Sequence, residues 1–151
     1  MSSQLFGPYV IPMQHIFYST AHSFAFVNLR PAIPGHVLIA PVRVAQHLSE
    51  LSDGEVSDLF CAATKVSSVI KRLYPPADAV TLAVQDGPSA GQTVPHVHVH
   101  ILPRHQLDRF NTAPGGNNTV YIALDKREEV PAAPRSFAEM EQEATKIRAF
   151  F

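Results

Sequence analysis

Short runs of apolar residues bounded by turn-forming residues predict most of the β structure of this chain. Residues 23–29 (SFAFVNL) and 36–42 (HVLIAPV) are rich in aromatic and β-branched side chains, which favour strands. The segment between them contains two prolines and a glycine, residue types that interrupt strands and form turns. The two runs therefore predict an antiparallel hairpin with a long connection.

Four other segments complete the predicted β structure. Residues 79–87 (AVTLAVQDG) predict a strand that ends in an Asp-Gly turn, and residues 96–103 (HVHVHILP) predict the next strand. Residues 119–124 (TVYIAL) predict a short strand. The first 20 residues are broken by prolines and predict an irregular or short β arm, whose apolar residues cover a core edge or a ligand.

The clearest helix is predicted over residues 52–74, where apolar residues recur every three or four positions. Ser52 and Glu55 match a capping box, in which each side chain accepts a hydrogen bond from a backbone N–H of the first turn. Two prolines directly after residue 74 end the helix. Cys61 lies within the pattern and is expected to be a small buried side chain. The predicted buried stripe consists of residues 56, 59, 60, 63, 66, 70 and 73.

A second capping box, Ser136 with Glu139, predicts a C-terminal helix. One long helix, a C-terminal helix and about five strands, without repeats or a linker, predict one α+β domain over residues 1–151. We expect an antiparallel sheet with the helices packed against it. The predicted apolar stripe of the C-terminal helix consists of Phe137, Met140, Ala144, Ile147 and Phe151.

The overall composition and charge limit the kinds of molecule that we expect this chain to bind. With 46% hydrophobic and 17% charged residues, the chain resembles an ordinary globular protein. The formal net charge of −1 gives no electrostatic reason to expect nucleic acid or an anionic membrane as a partner. No apolar run approaches the roughly 20 residues that a bilayer-spanning helix needs. The single cysteine cannot form an intrachain disulfide, which fits a reducing compartment, so we expect a cytoplasmic protein, with nuclear or mitochondrial entry left open.

Residues 93–104 (TVPHVHVHILPR) carry a histidine at every second position: His96, His98 and His100. Because side chains alternate between the two faces of a strand, the three histidines share one face and the intervening apolar residues share the other. We expect the apolar face to pack on the core. The histidine face must then meet water, a cleft or a ligand, since buried polar rings need partners.

A metal site and a purely structural histidine stripe are two interpretations of this face. At about 3.3 Å per residue, His96 and His100 lie about 13 Å apart along a regular strand, whereas zinc binds each nitrogen at about 2.0–2.1 Å. Two neighbouring histidines can share one ion, but three on one regular strand cannot easily do so. Both interpretations stay open, although the geometry of a regular strand makes it difficult for all three histidines to bind one ion.

Catalysis by imidazole is the interpretation that the neighbouring residues favour. Histidine acts as a nucleophile and as a general acid or base near neutral pH. The glycines of the preceding loop, residues 86–93 (DGPSAGQT), let backbone N–H groups approach anionic oxygens. Gln85, Gln92 and Thr93 add neutral donors. The segment therefore indicates a phosphate-bearing substrate.

The run HVHVHIL (96–102) matches the His-φ-His-φ-His-φ-φ signature, in which φ is apolar, of the histidine triad (HIT) superfamily of nucleotide hydrolases and transferases. Residues 23–43, residues 85–104 and the capped C-terminal helix resemble its fragile histidine triad branch, the dinucleoside triphosphate hydrolases. Transferase and phosphorylase branches tend to have glutamine in place of His100, and the phosphoramidase branch a glycine pair in place of Pro103-Arg104. The resemblance implies a HIT-like fold over nearly the full chain.

The resemblance also implies a role for each histidine of the site. His98 matches the nucleophile, which attacks the α-phosphorus and forms a nucleotidyl-histidine that water then hydrolyses. His100 matches the residue that binds the phosphate and aids departure of the leaving group. His96 matches the residue that orients and polarises the nucleophile, partly through its backbone carbonyl. His36 matches a fourth histidine packed behind the triad.

Two further sets of residues are implied by the resemblance to bind the substrate. Asn28 matches a position that binds ribose hydroxyls. The positions implied for the phosphates are Gln85, Gly91, Gln92, Thr93 and Val94. The positions implied for the adenine pocket are Phe6, Tyr9, Ile11, Phe26 and Leu38.

The reaction implied is cleavage of diadenosine triphosphate, and of related dinucleoside polyphosphates, to AMP and ADP by a homodimer. No tightly bound cofactor and no protein-held metal are expected, since Mg²⁺ or Mn²⁺ accompanies the polyphosphate as a counter-ion. A nucleotide-binding signalling module with slow turnover and a nucleoside phosphoramidate hydrolase of the same superfamily stay open as alternatives. Residues 104–118 lack a counterpart in the family pattern and predict a mobile surface loop that could reach the second nucleoside.

Overall fold

The computed structural model describes residues 1–125 and 132–151. A five-stranded antiparallel sheet lies at its centre, and a two-stranded hairpin precedes the sheet in the chain. The hairpin consists of β1 (Gln4–Phe6) and β2 (Tyr9–Ile11). The sheet consists of β3 (Ile16–Ser19), β4 (Ser23–Val27), β5 (Val37–Pro41), β6 (Ala79–Val84) and β7 (Val99–Arg104). Their order across the sheet is β3-β4-β5-β7-β6, which confirms the predicted α+β class with about five strands.

The hairpin predicted from residues 23–42 is confirmed, because β4 and β5 pair over their whole length in antiparallel register. Strand β7 lies between β5 and β6, so the triad segment enters the middle of the sheet. The strand begins at Val99, and His96 and His98 precede it. The predicted division of faces is kept: Val97, Val99 and Ile101 belong to the main core cluster.

The long helix α1 spans Asp53–Leu73 and begins with the predicted capping box of Ser52 and Glu55. Two predictions about its faces are wrong: Phe60 is 39% exposed and Cys61 is exposed. Each residue turns the helix by about 100°, so positions 60 and 61 rotate away from the sheet when Leu59 faces it. The residues that α1 buries against the sheet are Leu59, Ala62, Ala63, Val66, Val69 and Ile70.

Residues 119–124, predicted as a strand, form the short helix α2 (Thr119–Leu124). Val120 and Leu124 are four residues apart and therefore lie on the same side of a helix. Both are buried in a cluster with Ile33, Leu102 and Phe110. Packing of this helical face overrides the strand preference of the β-branched residues.

The C-terminal helix α3 (Phe137–Arg148) has the predicted capping box, and Met140, Ala144 and Ile147 are buried as predicted. The two aromatic residues at the ends of the predicted stripe are not core residues. Phe137 is 52% exposed and Phe151 is 44% exposed. The Phe137 ring contacts the ring of His15, and the Phe151 ring stacks on a tyrosine of β3.

The segment 104–118, predicted as a mobile surface loop, is anchored in its first half. Arg104 and Asp108 form a buried ion pair at 2.5 Å, and the Phe110 ring is buried between this pair and α2. Burial alone would raise the pKa of Asp108, but hydrogen bonds from the Arg104 guanidinium and from backbone N–H groups lower it to about 2. The loop is thus attached to the same strand that carries His100.

Within residues 1–125 and 132–151, no helix is both long enough and apolar enough to cross a bilayer.

Candidate active site

The His98 imidazole is oriented by the backbone of the triad itself. Its Nδ1 lies 2.8 Å from the carbonyl oxygen of His96. A carbonyl oxygen only accepts hydrogen bonds, so Nδ1 carries the proton and the lone pair is on Nε2. A nucleophilic imidazole attacks through such a lone pair. The backbone carbonyl of His96 therefore selects the tautomer that nucleophilic attack requires.

The His96 ring is fully buried and both of its nitrogens are engaged by the backbone. Nδ1 accepts a hydrogen bond from the Gly7 N–H at 2.9 Å, and Nε2–H donates to the Pro41 carbonyl oxygen at 2.8 Å. Burial lowers the pKa of His96, and the hydrogen bond to Pro41 opposes this shift. The neutral ring holds the hairpin and strand β5 together, while the His96 carbonyl oxygen contacts His98.

His36 and His100 form a hydrogen-bonded chain, and the backbone N–H at one end determines which ring nitrogen of each histidine carries the proton. The Ala32 N–H donates to Nδ1 of His36 at 3.0 Å, which leaves the ring proton of His36 on Nε2. This Nε2–H donates to Nδ1 of His100 at 3.0 Å. The ring proton of His100 is then on Nε2, which lies 3.2 Å from Oε1 of Gln85. His100 therefore presents an N–H donor on the side of Gln85.

The surroundings of His36 keep its ring neutral. Burial, with smaller contributions from His98 and Arg135, lowers the pKa of His36 to about 3. The Asn28 amide lies beside the ring, with Nδ2 at 3.4 Å from Nε2 of His36. Arg135 donates from Nε to the Asn28 carbonyl oxygen at 3.0 Å, which attaches the segment before α3 to the site.

The residues implied for phosphate binding are not all next to the histidines. Gln85 contacts His100, whereas the buried Gln92 amide is engaged by the backbone of the loop: its Oε1 accepts from the Gly87 N–H at 3.0 Å. Nε2 of Gln92 donates to the carbonyl oxygen of residue 46 at 2.9 Å. Gln92 therefore stabilises the loop, and Thr93 is exposed next to it. Gly91 has a φ of +97°, a left-handed conformation that suits glycine.

The apolar residues implied for the adenine pocket are largely brought together on one side of His98. The Phe6 ring meets the His98 ring edge to face, with 4.9 Å between centroids. Tyr9 lies outside this cluster and is 59% exposed. The cluster consists of Phe6, Phe26 and Leu38 with neighbouring buried residues, and Ile11 and Val94 pack against it.

Two contacts of the site were missed from the sequence. Gly7, whose φ is +56°, supplies the N–H that engages His96, and the Gly7-Pro8 dipeptide is the turn signal in the sequence that could have indicated it. Asp125 accepts a hydrogen bond from Nε2 of Gln85. A carboxylate at the end of a segment predicted as a strand carried no such signal.

Among the described residues, no group of three or more histidine, cysteine, aspartate or glutamate side chains is arranged to hold a metal ion. The four histidines make hydrogen bonds to the backbone, to one another and to Gln85.

Comparison with known proteins identifies the family to which this chain belongs. A model of the HIT domain matches residues 11–107, well over half of the chain. The chain belongs to the HIT family. This HIT protein is 42% identical over 151 residues to the bis(5'-adenosyl)-triphosphatase of Dictyostelium discoideum, covering 100% of this chain and 95% of that one. It is 44% identical over 159 residues to the bifunctional bis(5'-adenosyl)-triphosphatase/adenylylsulfatase FHIT of Arabidopsis thaliana, covering 99% of this chain and 85% of the relative.

A solved structure agrees with the fold of this HIT protein. The crystal structure of the Plasmodium falciparum diadenosine triphosphate hydrolase in complex with cyclomarin A superposes with a TM-score of 0.80 at 29% identity. The match covers 99% of this chain and 84% of that chain.

Proposed function

We propose that this HIT protein hydrolyses diadenosine triphosphate and related dinucleoside polyphosphates, releasing AMP, through a nucleotidyl intermediate on His98. The observation that carries the proposal is the hydrogen bond from His98 Nδ1–H to the His96 carbonyl oxygen, which leaves the lone pair on Nε2. The full-length similarity to bis(5'-adenosyl)-triphosphatases supports the substrate class.

The first chemical step uses His98 and His100. Nε2 of His98 attacks the α-phosphorus, the new P–N bond forms, and the P–O bond to ADP breaks with its electron pair leaving on the ADP oxygen. A phosphoanhydride already has a weakly basic leaving group, so positioning and charge stabilisation carry most of the catalysis. The His100 Nε2–H, which donates to Gln85 in the structure, is the donor available to the oxygen on which charge develops.

The second step returns the protein to its starting state. Water attacks the same phosphorus, the P–N bond breaks, and its electron pair returns to Nε2 of His98. AMP is released with the oxygen of that water. The attacking water gives up one proton to solvent, and the positive charge that the His98 ring gained when the P–N bond formed is lost when that bond breaks, so both steps balance without an oxidant or reductant.

A divalent cation, Mg²⁺ or Mn²⁺, enters this proposal as part of the substrate. Mg²⁺ is commonly held by phosphate oxygens and water with few protein ligands. It would reduce the negative charge of the polyphosphate, while His98 and His100 act on the α-phosphate.

A homodimer that forms through β6 completes the proposal. Within the described part of the chain, β6 pairs with β7 on one side and ends the sheet. An edge strand presents backbone N–H and C=O groups that a second copy can pair with, and Leu82 on this strand is 47% exposed. A cytoplasmic location remains part of the proposal, from the single cysteine and the composition.

The test is a substrate panel with chromatography of the products. The protein is incubated with Mg²⁺ and diadenosine triphosphate, diadenosine tetraphosphate or adenosine phosphoramidate, and initial rates are compared. The proposal predicts AMP and ADP in equal amounts from the triphosphate, at a rate above that of the phosphoramidate. Absence of AMP and ADP, or a faster phosphoramidate reaction, contradicts it. Slow turnover together with tight binding would favour the signalling module instead.

A further inference from the structure

The residue that follows α2, Asp125, places its carboxylate against the loop implied for phosphate binding. Oδ1 of Asp125 accepts a hydrogen bond from Nε2 of Gln85. The carboxylate also packs on Gly91 so closely that a Cβ at that position would overlap it. Asp125 thus reaches two residues that are more than thirty positions earlier in the chain, and one of them, Gln85, also contacts His100.

This contact decides how the Gln85 amide is oriented. A carboxylate only accepts hydrogen bonds, so the NH₂ group of Gln85 faces Asp125 and Oε1 faces His100. With the amide rotated by half a turn, its NH₂ group would face the Nε2–H of His100, and two donors would be in contact. The position of Asp125 therefore favours the one orientation that can accept from His100.

The same hydrogen bond completes a chain in which every donor points in one direction. The members, in order from donor to acceptor, are the Ala32 N–H, His36, His100, Gln85 and Asp125. Hydrogen bonds aligned in this way polarise and strengthen one another. The chain ends on a carboxylate, whose negative charge strengthens the last bond.

We propose that Asp125 is a positioning residue of the hydrolase: it holds Gln85 so that His100 keeps its Nε2–H directed as a donor. The second N–H of the Gln85 amide is then oriented for a phosphate oxygen. This inference rests on the proposed function. It differs from the implied family roles because Asp125 is argued to act through Gln85, with which it shares a hydrogen bond.

A double-mutant cycle tests the inference. Asp125→Ala lowers kcat/KM by about 10-fold, the size typical for loss of an outer partner of a catalytic group. Asp125→Asn loses less, because its amide oxygen can still accept from Gln85. On a Gln85→Ala background, Asp125→Ala causes no further loss, since the residue it acts through is already absent. Glu141→Ala removes an exposed carboxylate of α3 and serves as the matched control.

Three results would overturn the inference. One is an unchanged rate in Asp125→Ala, and another is an equal loss on both backgrounds. The third is a lower KM in both Asp125→Ala and Asp125→Asn, which would mean that the carboxylate competes with the phosphates. Asp125→Ser, a short polar residue that helix ends accept and that brings no carboxylate to Gln85, gives the same comparison if the alanine variant does not fold.

A readout without turnover separates this inference from the proposed function. Nuclear magnetic resonance of the Gln85 side-chain amide reports its hydrogen bond in the unaltered protein, in Asp125→Asn and in Asp125→Ala. The inference predicts a hydrogen-bonded signal that shifts most in the alanine variant, and identical signals in all three contradict it. If the unaltered protein cleaves none of the dinucleotides, the proposed function fails while this measurement still decides the role of Asp125.

Discussion

The carbonyl oxygen of His96 accepts a hydrogen bond from Nδ1–H of His98 at 2.8 Å, so one triad member orients the next through the backbone. The His96 ring cannot take part in the chemistry in the same way, because Gly7 and Pro41 engage both of its nitrogens. The alternation of the triad thus has two separate uses: a buried ring that joins structural elements, and a carbonyl group that fixes the attacking tautomer.

Replacing Gly7 with alanine should lower both stability and activity. Gly7 has a φ of +56°, and an added Cβ would lie 2.8 Å from Cγ1 of Val94. The left-handed conformation alone costs about 1–2 kcal/mol for a residue other than glycine. Displacement of the turn would also weaken the hydrogen bond to His96, so we expect kcat to fall several-fold. Urea unfolding and initial rates measure the two effects.

Gly116 provides the matched control for this prediction. Its φ is +66°, yet an added Cβ would meet no atom within 4 Å. Gly116→Ala should therefore show only the conformational cost of about 1–2 kcal/mol, with kcat unchanged. Equal kinetic effects in the two variants would show that the hairpin does not support His96.

Stability should decrease as the pH falls from neutral towards 4, in part because of His36. The pKa of His36 is lowered from 6.5 to about 3, so between these values the unfolded chain binds a proton that the folded protein does not. The free energy of unfolding then falls by up to about 1.4 kcal/mol per pH unit for this group. Urea unfolding at several pH values should show that the free energy of unfolding changes less steeply with pH in His36→Gln than in the unaltered protein. An identical slope would contradict a neutral buried His36.

Removing the carboxylate of Asp108 should destabilise the protein strongly. Arg104 and Asp108 are both buried, and loss of one partner leaves a buried charge without compensation. Such changes cost about 3–5 kcal/mol. Asp108→Ala should therefore lower the urea midpoint far more than Arg43→Ala, which breaks the exposed ion pair with Glu55. Similar midpoints for the two variants would mean that the loop is not anchored by the buried pair.

Leu82→Glu should weaken self-association if the copies pair through β6. The substitution puts a charge on the exposed edge strand, where two copies related by a two-fold axis would bring the charges together. Leu107→Glu is the control, because Leu107 is 79% exposed and lies in the loop after β7. Sedimentation of both variants and of the unaltered protein decides the outcome. A dimer that persists in Leu82→Glu contradicts an interface at this edge.

The sequence predicted those features whose interacting groups are close together in the chain, such as helix starts at which a side chain accepts a hydrogen bond from a nearby backbone N–H. The capping boxes of Ser52 and Ser136 mark the starts of α1 and α3 because hydroxyl and carboxylate lie three residues apart in the chain. The two faces of the histidine segment follow equally from the alternation of a strand. In both cases the interacting groups are close in sequence.

The features missed from the sequence depend on partners that are distant in the chain. Residues 119–124 have strand-forming composition, but the helical face of Val120 and Leu124 packs on Ile33 and Leu102. Cys61 is exposed because the position of the sheet determines which side of α1 is covered. The contact of Asp125 with Gln85 spans 40 residues and has no local pattern. Tertiary packing decides each of these cases.

The most direct test of the central claim is a mass measurement of the nucleotidyl intermediate on His98. The protein is mixed with diadenosine triphosphate, quenched within a single turnover in alkali, where a phosphorus–nitrogen bond to histidine survives, and analysed as intact protein and as peptides. The account predicts the added mass of one adenylyl group on the peptide that contains His98, with no added mass and no turnover for His98→Ala. Turnover by His98→Ala at the unaltered rate, or an adduct on a different residue, would contradict it.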